Sequence, residues 1–227
     1  MLVTIEHVLT AVELAAVRDL LESSAWAGGE LTAGSQAALA KNNRQLAEDA
    51  AHLPQLRRLV LGALQRNALF FTAALPARIL PPFFNCYEGT SNYYGNHVDG
   101  AMRAHPDGSG YVRADVSATL FLSPPEEYDG GVLTVEDTYG RQEIKLAAGS
   151  LVVYPASSVH QVTPVTRGRR LACFMFIQSM VRDAGQRRLL FDMDMALLQL
   201  RQTHGDTDPV VRLTGAYHNL LRRWAEP

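Results

Sequence analysis

Tyr93-Tyr94-Gly95-Asn96-His97-Val98-Asp99-Gly100 sets an imidazole and a carboxylate two positions apart, in a segment whose flanks read as extended. Side chains alternate faces along a strand, so His97 and Asp99 point the same way and can share one ligand. Their nitrogen and oxygen donors suit a divalent first-row metal. The pair alone is weak evidence, since a His-x-Asp is more often surface decoration than a metal site. It gains weight only with a third ligand.

That ligand is best sought in Gly149-Ser150-Leu151-Val152-Val153-Tyr154-Pro155-Ala156-Ser157-Ser158-Val159-His160-Gln161-Val162, which reads as strand, tight turn, strand. Leu151 to Tyr154 is a short apolar run between Gly149 and Pro155, the mark of a buried strand, and His160 enters the returning strand. Ten residues further on, Arg170 opens the apolar run Leu171-Ala172-Cys173-Phe174-Met175-Phe176-Ile177. A guanidinium there needs an anionic partner, and its fork matches a carboxylate at two points. Two histidines and one carboxylate make the facial triad of non-haem iron sites, which leaves positions open for other ligands.

Outward from these stretches the centre of the chain is strand-like. Arg78-Ile79-Leu80 and Phe83 to Tyr87 read as strands, Glu88 to Asn92 as a turn, and Ala101 to Gly110 as a loop beside the metal carrying Arg103 and His105. Val112 to Leu122 reads as one strand ended by Pro124-Pro125, while Gly130-Gly131 introduces Val132 to Val135 and Glu143 to Leu146 alternates. Seven or eight short strands with Gly/Pro turns predict an antiparallel sandwich or barrel. On the N-terminal side, Thr10 with Glu13 forms a capping box for a helix to Ser24, Ala27 to Asn43 reads as a loop, and a helical stretch runs from roughly Arg44 to Ala73, interrupted or bent near Pro54. From Val181 the pattern is helical again, with stripes on Leu189, Leu190, Met193, Leu197 and Leu200, then on Leu213, Tyr217, Leu220, Leu221 and Trp224. This predicts N-terminal helical support over 1–77, a β core over 78–178 and a C-terminal helical subdomain over 179–227. The two stripes together predict self-association as a homo-oligomer.

Composition bounds the function. The chain has 227 residues, 47% of them hydrophobic and 19% charged, which is ordinary for a globular protein and argues against disorder. A formal net charge of −2 gives no electrostatic case for nucleic acid or an anionic membrane. The N-terminus lacks the basic region and apolar core of a signal peptide, and no run approaches the ~18 apolar residues of a membrane span. Cys86 and Cys173 sit in apolar runs and read as buried free thiols. A cytoplasmic, reducing compartment is the expectation. No His-Glu-x-x-His helix supports zinc peptidase chemistry.

The centre resembles the Fe(II)/2-oxoglutarate dioxygenases of the prolyl/lysyl hydroxylase type, and more narrowly the bacterial PKHD-type (PiuC-like) hydroxylases. The resemblance rests on Asn85-Cys86-Tyr87-Glu88-Gly89, Tyr94 to Asp99, Ser117 to Leu122, Tyr128-Asp129-Gly130-Gly131-Val132-Leu133, and Tyr154-Pro155 through His160 to Arg170. It implies a mainly β fold with flanking helices (α+β), a double-stranded β-helix (jelly-roll). It implies Fe(II) bound by His97, Asp99 and His160, with Arg170 holding the distal carboxylate of 2-oxoglutarate. Tyr87 matches a tyrosine lining the cosubstrate pocket. Some animal prolyl hydroxylases add a tyrosine hydroxyl beside the arginine, on the strand corresponding to Ala118 to Leu122. This chain has Phe121 there and no tyrosine, which leaves Tyr87 or a Ser/Thr as the second donor.

The implied reaction consumes O2 and 2-oxoglutarate, releases succinate and CO2, and hydroxylates a C–H bond, with ascorbate among the implied cofactors as reductant. Related halogenases carry a small residue in place of the aspartate, so Asp99 favours hydroxylation. The resemblance hints at a peptidyl or iron-uptake-related substrate and identifies none. Other classes remain open on the residues alone. A cupin-like isomerase or hydrolase would use similar ligands without needing Arg170, and a non-catalytic metal or 2-oxoglutarate sensor would keep the whole site without turnover. Arg103, His105 and Arg113 read first as solvated loop and surface groups, and as contacts to an acidic substrate second.

Overall fold

Two antiparallel sheets carry the site between them. The computed structural model describes residues 1–29, 39–138 and 140–226. The larger sheet runs in the order Val3–Ile5, Leu151–Pro155, Val116–Phe121, Arg170–Ser179, Phe83–Tyr87, Arg44–Leu46, Trp26–Gly28, with Pro76–Ile79 also paired to Arg170–Ser179. The smaller runs Gly140–Ile144, Leu133–Asp137, His160–Val162, Tyr93–His97, Lys41–Asn42. Along the chain Phe83–Tyr87, Tyr93–His97, Val116–Phe121, Leu133–Asp137, Leu151–Pro155, His160–Val162 and Arg170–Ser179 alternate between the two sheets, as in the expected double-stranded β-helix.

The central strands of the larger sheet are buried on both faces, which explains their apolar texture. Val116, Ala118 and Leu120 turn away from the site into a cluster with Leu171, Cys173, Met175, Phe84 and Cys86. Ser117, Thr119 and Phe121 alternate to the other face. Three helices cover the outward cluster: α1 (Ala11–Glu22), α2 (Leu53–Gln65) and α3 (Ala68–Ala74). They contribute Val17, Leu21, Leu56, Val60, Ala63 and Phe70 to it. Thr10 caps α1 reciprocally with Glu13, as the sequence predicts. Both cysteines are free and buried.

At the C-terminus, α4 (Ala184–His204) and α5 (Asp208–Trp224) form a hairpin with its own cluster of Leu75, Val181, Leu190, Leu197 and Tyr217. The predicted stripes are only partly covered: Met193, Leu220, Leu221 and Trp224 pack against this cluster, whereas Leu189 and Leu213 are exposed.

Local expectations fail in five places. The stretch from Arg44 is not helical at its start: Arg44–Leu46 is a strand held by Trp26–Gly28 on one side and Phe83–Tyr87 on the other. Pro54 does not bend a helix but lies in the first turn of α2, where a missing N–H costs nothing. The break falls at Asn67, whose side chain caps α3. Residues 101–110 are not simply a loop, because Met102–Ala104 pairs with Tyr111–Arg113 in a ribbon. Val112 to Leu122 is two strands, one in that ribbon and one in the large sheet. Of the loop expected at Ala27 to Asn43, the described residues hold the Trp26–Gly28 and Lys41–Asn42 strands, and residues 30–38 lie outside the description.

Gly130-Gly131 is more than a turn. Both have positive φ, +70° and +60°, and a bulge interrupts the pairing of Tyr128–Gly130 with Val165–Gly168 here. A Cβ on Gly131 would sit 2.8 Å from Val165 Cγ2, 2.9 Å from Arg170 Cδ and 3.0 Å from Tyr128 Cε2. Gly131→Ala therefore combines left-handed strain with overpacking, and a loss of about 2 kcal/mol or more is expected as a lowered thermal midpoint. An unchanged midpoint would mean that the neighbours yield without cost.

Candidate metal centre

Two of the three predicted ligands come from strands that the ladder sets side by side, and the third follows the end of one of them. His97 ends one strand, His160 opens the next, and the two are direct partners in register. Opposed residues on one face lie close enough for their side chains to meet, and the two imidazole centroids are 4.2 Å apart. Asp99 lies two residues beyond the end of the His97 strand rather than in it, and its carboxylate still reaches the cluster. Its Oδ1 lies 3.9 Å from His97 Nε2 and its Oδ2 3.6 Å from His160 Nε2. One donor atom from each residue lies within 4.8 Å of the others.

Each imidazole is turned by its own backbone. Nδ1–H of His97 donates to the Gly95 carbonyl at 2.8 Å, and that of His160 to the Ser158 carbonyl at 3.0 Å. With the proton held on Nδ1, the Nε2 lone pair faces the cluster. Burial, and then the neighbouring His160, push His97 down to about 4, so the ring is neutral at pH 7 and able to donate to a metal. Tyr94 stacks on His97 with centroids 3.6 Å apart and planes 12° from parallel. Ser117 Oγ donates to Asp99 Oδ2 at 2.6 Å, which orients the carboxylate. Removing such a supporting hydrogen bond weakens metal affinity by about ten- to a hundredfold. That loss is expected for Ser117→Ala, read by competition with a coloured chelator; unchanged affinity would show that the strand alone sets the carboxylate.

The cluster opens on a cavity of about 560 Å³ bounded by both sheets. Arg170 lies in the same cavity and is 1% exposed. It partners Tyr87 in register, and its guanidinium sits 5.1 Å from the Tyr87 ring and 5.2 Å from the Phe121 ring. None of its three nitrogens has a hydrogen-bond partner among the described residues. A buried cation without a partner is costly, so the position fits an anion supplied from outside the chain. Two neutral imidazoles and one carboxylate likewise fit a divalent first-row metal. The predicted set of His97, Asp99, His160, Arg170 and Tyr87 thus lines one cavity.

Other expectations divide. Arg103 lines the cavity, with its guanidinium 4.2 Å from the Phe176 ring. His105 lies apart from that lining and contacts Asp107 in the ribbon turn. Arg113 pairs with Asp115 at 2.7 Å. The sequence reading missed Tyr128. It is 0% exposed, and among the described residues its hydroxyl has no well-formed hydrogen bond. Burial pushes that hydroxyl above the usual tyrosine range, opposed by the charge of Arg170 beside it. The signal was the Tyr-Asp-Gly-Gly sequence, in which two glycines leave room for a close approach.

Comparison with known proteins agrees with this geometry. A family model described as the 2OG-Fe(II) oxygenase superfamily matches residues 82–178, and one described as the PKHD-type hydroxylase C-terminal domain matches 184–226. A PKHD-type hydroxylase of Nitrosomonas eutropha is 69% identical over 226 residues, covering 100% of both chains. One from Azoarcus sp. is 69% identical over 227 residues with the same coverage. Among solved structures, a Trichoplax adhaerens prolyl hydroxylase in complex with a hypoxia inducible factor oxygen degradation domain peptide fragment superposes with a TM-score of 0.53. It is 15% identical and covers 83% of this chain and 86% of that one, a likeness of fold alone. Identity of this extent over the whole length settles the relationship: the chain belongs to the PKHD-type hydroxylases of the 2OG-Fe(II) oxygenase superfamily.

Proposed function

We propose that the cavity binds Fe(II) through His97, Asp99 and His160 and the distal carboxylate of 2-oxoglutarate through Arg170, with Tyr87 lining the cosubstrate's place. The observation that carries this reading is the unpaired buried guanidinium of Arg170, in one cavity with three converging donor atoms. Iron with 2-oxoglutarate and O2 supplies oxidative decarboxylation to succinate and CO2, coupled to hydroxylation of a C–H bond, and ascorbate serves as reductant.

The chain's own part is binding, orientation and exclusion of water. The backbone carbonyls of Gly95 and Ser158 hold both imidazoles in one tautomer. Ser117 holds Asp99, and its intact carboxylate keeps a ligand where a small residue would leave a gap. Tyr87, Phe121 and Leu133 exclude water from the inner part of the sheet interior. The C–H substrate approaches from the open side of the cavity, where a rim of exposed Met102 and half-buried Arg103 leads in to the buried Lys41 and Phe176. The cationic and aromatic character of that approach favours a substrate with an acidic group beside an apolar one. The free buried thiols of Cys86 and Cys173 support a reducing, cytoplasmic setting.

The test is succinate formation from 2-oxoglutarate by the Fe(II)-loaded protein, with candidate acidic peptides and small molecules screened for stimulated turnover. Substrate-coupled succinate is the expected result. Tight 2-oxoglutarate binding with no succinate under any condition would make the protein a sensor instead.

A further inference from the structure

Tyr128 answers a question that the strand opposite Arg170 leaves open. On Val116–Phe121 the residue against the guanidinium is Phe121, whose ring has no hydrogen-bond donor. Buried tyrosine hydroxyls usually find a partner, yet among the described residues no well-formed hydrogen bond reaches that of Tyr128 or any nitrogen of Arg170, and the two groups meet only in a loose contact with each other. The hydroxyl lies beside the guanidinium, within its electrostatic influence. The two groups cannot satisfy each other fully. Arginine carries five N–H donors and no acceptor, and the one hydroxyl proton would still lack an acceptor. A carboxylate offers about four lone-pair sites, enough for both N–H groups of an arginine fork and for a hydroxyl as well.

The fold holds Tyr128 in place from several directions. Lys145 Nζ donates to the Tyr128 carbonyl at 2.7 Å and lies 4.1 Å from the centre of its ring. Gly131 presents no Cβ where one would meet both the Tyr128 ring and the Arg170 stem. A ring that only filled space could be phenylalanine.

We infer that Tyr128 donates its hydroxyl to the distal carboxylate of the cosubstrate, making a two-residue clamp with Arg170. The inference rests on the function proposed above. Tyr128 is then a determinant of selection among 2-oxo acids, favouring those with a second carboxylate. It also supplies the second donor that the sequence left to Tyr87 or a Ser/Thr.

The test uses Tyr128→Phe, which keeps the ring and its packing. Calorimetric titration of the full chain, loaded with Mn(II) and kept anaerobic, compares 2-oxoglutarate with 2-oxobutyrate, which lacks the distal carboxylate. A hydrogen bond to a charged group is expected to make the Kd for 2-oxoglutarate rise about ten- to a hundredfold. The Kd for 2-oxobutyrate should stay as in the unaltered protein, and the thermal midpoint of the ligand-free chain should not fall. Equal 2-oxoglutarate affinity in both proteins overturns the clamp. So does an equal loss for both acids, which would mark Tyr128 as a packing residue. If the unaltered protein fails to bind 2-oxoglutarate at all, the function proposed above fails first and the clamp with it.

Discussion

Loss of bound iron is the expected result of His160→Ala, with turnover falling below detection. His160 is 5% exposed and its Nε2 faces Asp99 Oδ2 across 3.6 Å, and among the described residues the cluster of possible ligands holds only His97 and Asp99 besides it. Removing one of three donors leaves a two-ligand site, and a buried pair of His97 and Asp99 would have to hold the ion alone. His97→Ala should do the same through the opposite edge of the cluster. Because the three residues act as one unit, the double variant should be little worse than either single one. Iron content per chain after gel filtration is the measurement, with circular dichroism as the check on folding. The strand ladder does not depend on the imidazoles, so a folded and iron-free variant is expected. Iron retained at one per chain in either single variant would remove that histidine from the ligand set.

Arg170→Ala should produce the other large effect, a steep rise in the Kd for 2-oxoglutarate. Truncating one member of a buried, hydrogen-bonded charge pair costs about 2–5 kcal/mol, or roughly thirtyfold to several thousandfold in Kd. Arg170→Lys should recover part of this, since an ammonium keeps the charge and loses the fork. A second signature separates a binding arginine from a structural one. Without ligand the guanidinium is buried and unpartnered, so replacing it by an apolar side chain of similar length is neutral or stabilising. Arg170→Met should therefore melt no lower than the unaltered chain without ligand, while losing the stabilisation that 2-oxoglutarate confers. A variant that melts lower and binds 2-oxoglutarate normally would assign the arginine to the scaffold.

How much of this was legible in the sequence depends on the range of the interaction that decides each feature. His97 and Asp99 could be paired from sequence because a period of two is a local property of a strand. His160 could be chosen because a histidine at the start of a strand after a Pro turn had few competitors. That it stands opposite His97 is a matter of register between distant segments, which the sequence does not display. The same limit explains Arg44–Leu46: three residues cannot distinguish a helical from an extended period, and pairing with Phe83–Tyr87 decided it. Pro54 was read as an interruption or a bend within one helical stretch when it marks a beginning, since proline is tolerated in a first turn and disruptive later. Tyr128 was visible as a residue in the family-like Tyr-Asp-Gly-Gly stretch. Its role was hidden because it needs two positive-φ glycines and a bulge to bring its ring against Arg170.

The outer strands of the larger sheet, Val3–Ile5 at one end and Arg44–Leu46 with Trp26–Gly28 at the other, all come from the first part of the chain, ahead of the Leu151–Pro155 and Phe83–Tyr87 strands they border. Lys41–Asn42 borders the smaller sheet in the same way. Trimming the protein to the segment that holds all its chemistry would strip these borders. Leu151–Pro155, Phe83–Tyr87 and Tyr93–His97 would each be left with a row of unpaired backbone groups, a template for sticking to other chains. During synthesis the order is the reverse: the borders leave the ribosome first and wait for the strands they will seal. The N-terminal segment thus guards against aggregation, and a minimal catalytic fragment of this enzyme would pay for its economy in solubility.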